Sequence, residues 1–162
     1  MLFDSLLNLS DPQSITADAI SEHVIDLGPL GSDNLGAGAS ANTIRDIGAG
    51  RPLYLHIVVS TTLLASGGAA SLIVSLESDS VVGLDNSATV HWTGESIAKA
   101  TLVAGYWYAK GVPLPPGNYE RYLGLRYNAI TNDFTSGAVK AWISDSRFDD
   151  RTYESGYSSQ VN

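Results

Sequence analysis

The chain has 162 residues, 44% hydrophobic and 16% charged, with a formal net charge of −8 and no cysteine. That is one ordinary domain, able to bury roughly two-thirds of its unfolded surface, and the composition excludes a disordered chain, a disulfide scaffold and a thiolate metal site. The nine Lys and Arg residues are scattered, with no cluster to release phosphate counterions, so nucleic acid is not an expected partner.

Sixteen glycines and eight tyrosines against a single methionine favour a turn-rich all-β protein over a helical bundle. Leu2, Phe3, Leu6 and Leu7 recur at helical spacing before Ser10-Asp11-Pro12 interrupts the pattern, so residues 1–13 read as a short helical turn or an N-terminal arm. The opening lacks the basic stretch and cleavage site of a secretory leader. No apolar run approaches the ~18 residues of a membrane span, so no membrane association is expected.

Residues 15–27 alternate through Ile15-Thr16-Ala17-Asp18-Ala19, break at Ser21-Glu22-His23 and resume at Val24-Ile25-Asp26-Leu27, a strand, a break and a strand. Residues 28–50 hold six glycines and exceed the ~4–6 residues of an ordinary connection, which predicts a long surface loop. Leu53–Ser60 is β-branched and aromatic with no breaker inside it, and suits a central strand. Beyond Gly67-Gly68, Ala70–Glu77 alternates cleanly, and the two runs could pair as antiparallel neighbours. Shorter strands are expected at Thr89–Trp92, Ile97–Val103, Tyr106–Val112, Arg121–Ile130 and Ala138–Ile143, with glycines and prolines between them. From Asp145 the sequence is polar with isolated aromatics, a tail expected to order only against something else. The expected fold is therefore a single-domain antiparallel β-sandwich or jelly roll spanning residues 1–162, with an extended N-terminal arm and a C-terminal tail over 145–162.

The chemistry-bearing residues are few. His23, His56 and His91 are the only histidines, and His56 sits mid-strand, where a hydrogen-bonded structural histidine is the ordinary case. Gly36-Ala37-Gly38-Ala39-Ser40 is neither a nucleophile elbow nor a phosphate loop, so no enzyme activity and no cofactor are expected. Asp145, Asp149 and Asp150 match no complete cation-binding loop and lie among Arg147 and Arg151, so no metal is expected.

Alternation through Tyr106-Trp107-Tyr108 places Trp107 on one face and both tyrosines on the other. With Trp92, these rings are either core or a contact surface. Leu2, Phe3, Leu6, Leu7 and Leu9 divide between the protein's own core and a partner contact. Glu120, Arg121 and Tyr122 follow the Pro115-Pro116-Gly117 turn, where they could anchor a partner or form an ordinary surface ion pair. Phe148, Tyr153 and Tyr157 are aromatic beads on the polar tail, suited to ordering on a neighbour or else disordered.

Several segments, in order, resemble the cement or decoration proteins of tailed-bacteriophage capsids, the small jelly-roll type first recognised on a Bordetella phage. They are Leu6 to Thr16, Val24 to Gly28 and Gly48 to Leu55 in the first half. In the second half they are Leu102 to Tyr106, Pro113 to Gly117, Glu120 to Leu123, Phe134 to Gly137 and Tyr153 to Tyr157. Each piece alone is a common turn or strand pattern, and the resemblance rests on their combination across nearly the whole chain. Pro29 to Ile44 departs from it, being longer and richer in glycine. The resemblance implies a structural protein on the outer capsid surface of a virion. It would associate with itself as a symmetric dimer or trimer and bind the major capsid protein across capsomer boundaries. A different class of function on a similar architecture is a carbohydrate-binding sandwich that stacks sugars on Trp92, Trp107 and Tyr108.

Overall fold

The computed structural model describes residues 5–28, 47, 50, 52–85 and 87–147. A 3-10 turn at Ser5–Leu7 leads into ten strands: β1 (Asn8–Ser14), β2 (Ala19–Ile20), β3 (Ile25–Asp26), β4 (Tyr54–Leu64), β5 (Ser71–Asp79), β6 (Thr89–Thr93), β7 (Ile97–Ala98), β8 (Trp107–Pro113), β9 (Tyr122–Ile130) and β10 (Ser136–Ser144). They form two antiparallel sheets packed face to face, an antiparallel β-sandwich of the jelly-roll kind. One sheet has the order β1-β10-β4-β8. The other is centred on β9 and β5, with β2 and β3 in tandem along β9 and β6 and β7 in tandem along β5.

Period-2 alternation explains which side chains meet. Leu55, Ile57, Val59 and Leu63 of β4, with Val139, Ala141 and Ile143 of β10, face Leu72, Val74 and Leu76 of β5 and Leu123, Leu125 and Tyr127 of β9, all of them buried. Each such side chain stabilises the fold by ~1.5–3 kcal/mol relative to exposure. β4 is an interior strand, as its β-branched, breaker-free sequence leads one to expect.

Four sequence expectations are corrected. The segment read as an arm is in large part β1, hydrogen-bonded along β10 through Asn8, Ser10, Gln13 and Ser14. Pro12 is tolerated because β1 ends its sheet and its register shifts between Ser10 and Gln13. β4 and β5 are not paired neighbours: the chain crosses at residues 65–70 from one sheet to the other, and β5 pairs with β9 over nine residues. The run Ile97–Val103 is a strand only at Ile97–Ala98, after which Thr101 and Leu102 bond back to Ala98 and Lys99 in a turn. The strand expected over Ile15–Ala19 does not form, since residues 16–18 bend and β2 begins only at Ala19, and the one expected over Val24–Leu27 shortens to β3.

Nearly all of the expected loop at 28–50, like Leu2 and Phe3, lies outside the described residues. The expected tail is described only as far as Arg147, and that beginning is not waiting for a partner. Ser146 accepts from His56, and Arg147 stacks on Tyr54 at 5.5 Å, both on β4.

Candidate functional site

The sandwich has two long edges where strands of opposite sheets approach, and each is bridged by a tyrosine. At the first edge, β1 faces β2, β3 and β9. The Tyr127 hydroxyl lies 2.8 Å from Ser10 Oγ, and since Ser10 donates its own proton to Gln13 Oε1 at 2.7 Å, Tyr127 is the donor. His23 N–H donates to Leu9 O across the same edge at 2.9 Å. Burial holds the Tyr127 phenol far above its usual pKa, against the lowering effect of the Ser10 bond. Tyr127 is therefore a neutral, sealed crosslink.

At the second edge β8 faces β5, β6 and β7. Tyr108 of β8 reaches across so that its hydroxyl accepts from Val74 N–H at 3.0 Å and donates to Glu95 O at 2.6 Å. Gly94 makes this possible, because a Cβ there would stand 2.5 Å from the Tyr108 hydroxyl. Burial chiefly, with help from Tyr106 and Glu95, raises the Tyr108 pKa despite the Val74 bond. This edge does not close. A cleft of about 380 Å³ remains, lined by Trp92, Thr93, Gly94, Glu95, Ile97, Tyr106 and Tyr108. Trp92 and Tyr108 meet at 90° with centroids 6.4 Å apart, so they form two perpendicular walls rather than one flat platform.

A bulge in β6 sets up both ends of this edge. Leu76 pairs with Trp92 and Glu77 with Val90, leaving His91 as the extra residue, so His91 and Trp92 both turn inward. His91 Nε2 lies 2.7 Å from Ser78 Oγ, which also accepts Glu120 N–H at 2.9 Å, and its ring stacks on Tyr119 at 4.0 Å. Burial lowers the His91 pKa against the opposing pull of Glu120, and so favours the neutral ring. A serine beside a histidine is the start of a nucleophilic arrangement. Here Ser78 has no exposed surface, and its oxygen joins β5 to β6 and to the segment entering β9.

The remaining aromatic cluster is on the outer face of the four-stranded sheet. Trp142 stacks on His56 at 5.4 Å and 18°, and Trp107 packs edge-on to Trp142 at 5.9 Å. His56 accepts Gly111 N–H at Nδ1 (3.2 Å), which fixes the proton on Nε2 for donation to Ser146 O (2.9 Å), with Ser144 Oγ alongside at 3.1 Å. Gly111 has φ +65°, and a Cβ there would lie 2.5 Å from Arg147 O, so only glycine lets the chain after β10 lie over the histidine. Trp107 remains 36% exposed, with Lys110 5.7 Å over its ring. Trp107 thus sits on the face opposite Tyr106 and Tyr108, as alternation requires. The three-ring sugar platform of Trp92, Trp107 and Tyr108 therefore does not form.

The sequence-derived contact residues are dispersed. Leu9 is wholly buried in the core, which removes it as a partner contact, and Leu7 packs partly against that core. Leu6, in the same 3-10 turn as Leu7, is 79% exposed. Arg121 makes a bidentate pair with Asp26 at 2.9 and 3.0 Å and lies 4.9 Å over the Tyr122 ring, while Glu120 accepts from Thr89 Oγ1 at 2.9 Å. This is the ordinary surface ion pair at a strand start. Phe148, Tyr153 and Tyr157 lie outside the described residues, as do Asp149 and Asp150. Among the described residues, no three His, Cys, Asp or Glu side chains gather as metal ligands, and no helix is long and apolar enough to cross a membrane. Trp142 and Ser78 were not singled out in the sequence. The Trp142–His56 stack follows from cross-strand register, and the Ser78–His91 contact from a bulge, neither of which leaves a local signal.

Comparison with curated proteins finds no match. A family model described as Bbp16 matches residues 9–143, from the first core leucine of β1 to the last core residue of β10, and the chain belongs to the Bbp16 family.

Proposed function

We propose that this chain is a capsid cement protein of a tailed bacteriophage, binding the outer surface of the assembled head and bridging major capsid protein subunits without catalysis. The observation that carries the reading is the family match, which spans the sandwich from β1 to β10 and whose name is consistent with a Bordetella phage. The jelly-roll sandwich and the ordered sequence segments agree with it. A cement function needs no reactive group. It needs a rigid body, exposed anchors and a rim matched to the lattice, repeated with the symmetry of the shell.

The rigid body is the doubly bridged sandwich. Leu6, Leu64, Val82, Val90, Val103 and Trp107 are among the exposed apolar side chains from which anchors could be drawn, and the net charge of −8 suits an outer surface. Association into a symmetric dimer or trimer would multiply modest contacts through effective concentration. The test is cosedimentation of the purified chain with undecorated mature capsids, alongside a chain lacking residues 148–162. Saturable binding at a stoichiometry fixed by the lattice is expected, with weaker binding for the shortened chain if the tail anchors it. A folded full chain that stays in the supernatant at every concentration overturns the reading.

A further inference from the structure

The open edge holds a feature that a rigid plug for a lattice does not require. Trp92 and Tyr108 stand perpendicular, Tyr106 adds a third ring, and Glu95 supplies the single ionisable carboxylate of the lining. Elsewhere the protein covers its half-exposed rings with its own cations: Lys110 over Trp107, Arg121 over Tyr122 and Arg147 over Tyr54. Among the described residues, no lysine, arginine or histidine lies over Trp92, Tyr106 or Tyr108 or lines the cleft. We infer that this cleft receives a lysine or arginine side chain presented by a partner polypeptide.

The physical case has three parts. Trp92 and Tyr108 meet edge to face, and a ring face left open to the cleft presents a negative quadrupole that attracts a cation within about 6 Å of its centroid. Glu95 adds full charge at the same place, close enough to Tyr108 that its field resists loss of the phenol proton. The size also fits, since about 380 Å³ is near the lower end of ligand pockets and matches one long side chain rather than a polymer. A polypeptide source follows from position. The cleft opens beside β8, the terminal strand of its sheet, where an extended segment can lie along the edge and point one side chain inward. Naming the shell protein as the donor rests on the cement reading, whereas the preference of the cleft for a cation does not.

The experiment titrates the full chain with N-acetyl-arginine amide, N-acetyl-lysine amide, neutral N-acetyl-norleucine amide and glucose. It follows the three tryptophan indole N–H resonances, with Trp107 and Trp142 as internal controls. A saturable shift of Trp92 alone with the two cationic probes is expected, weakened about tenfold or more in Glu95→Gln. That variant alters an exposed side chain, and its two control indoles report that the fold is kept. No Trp92 shift with either cation, an equal shift with norleucine amide or glucose, or undiminished affinity in Glu95→Gln overturns the inference. Because no capsid is present, these outcomes are independent of the sedimentation result.

Discussion

The two edges of the sandwich use the same device to different ends. Tyr127 and Tyr108 both carry a hydroxyl from one sheet to the other, yet the Tyr127 edge is sealed while the Tyr108 edge keeps a cleft. At the sealed edge Leu9 fills the space behind the bridge, and the main chains of β1 and residue 23 are bonded directly. At the other edge the space is bounded by aromatic walls that no leucine enters. Shape is locked at one edge, and room for a partner is kept at the other.

The contrast is broken or sharpened by mutation. Leu9→Ala should cost ~2–5 kcal/mol, the largest effect, because it empties a wholly buried site behind the sealed edge. Equilibrium urea unfolding reads this directly, and a loss below ~1 kcal/mol would mean the edge is not sealed by packing. Tyr127→Phe should cost about 1 kcal/mol through loss of the buried bond to Ser10. Gly94→Ala should dislodge the Tyr108 hydroxyl, with a loss of similar size, and should perturb the Trp92 indole resonance while leaving Trp142 in place.

pH offers a second way to separate the edges. The His91 pKa is lowered in the folded state, so the unfolded chain takes up protons first as pH falls through ~6.5. Stability present above that pH should decline below it, and His91→Gln should flatten the decline. Tyr127 and Tyr108 have the opposite sense. Their raised folded pKa values make the unfolded chain lose these protons first, so stability should fall as pH rises above ~10 at both edges, and only the acid limb, through His91, belongs to one of them. Arg121→Ala should give the smallest effect, an unchanged melting temperature, because its pair with Asp26 is exposed and screened.

Much of the fold was legible, and the failures share a cause. Tyr106–Val112, Arg121–Ile130 and Ala138–Ile143 fall within a residue or two of strands, and Leu53–Ser60 covers the first part of β4, which runs four residues further, because each carries its buried face at period 2. Periodicity assigns faces but not sheets, so a Gly67-Gly68 turn reads as a hairpin although the chain there changes sheet. Pro12 and its polar neighbours hide an edge strand whose hydrogen bonds come from β10, seen only in three dimensions. The candidate cleft was half visible. The tyrosines at 106 and 108 could be placed opposite Trp107 by counting, but the parity of Trp92 depends on a bulge at His91 that no local residue announces.

Cementing means reinforcement as well as adhesion. The most direct test is therefore the temperature at which undecorated mature shells rupture, measured with and without saturating amounts of the chain. A shell that survives to higher temperature when decorated, with the gain rising in step with occupancy, is the predicted result. Shells that rupture at the same temperature with the chain demonstrably bound would contradict it.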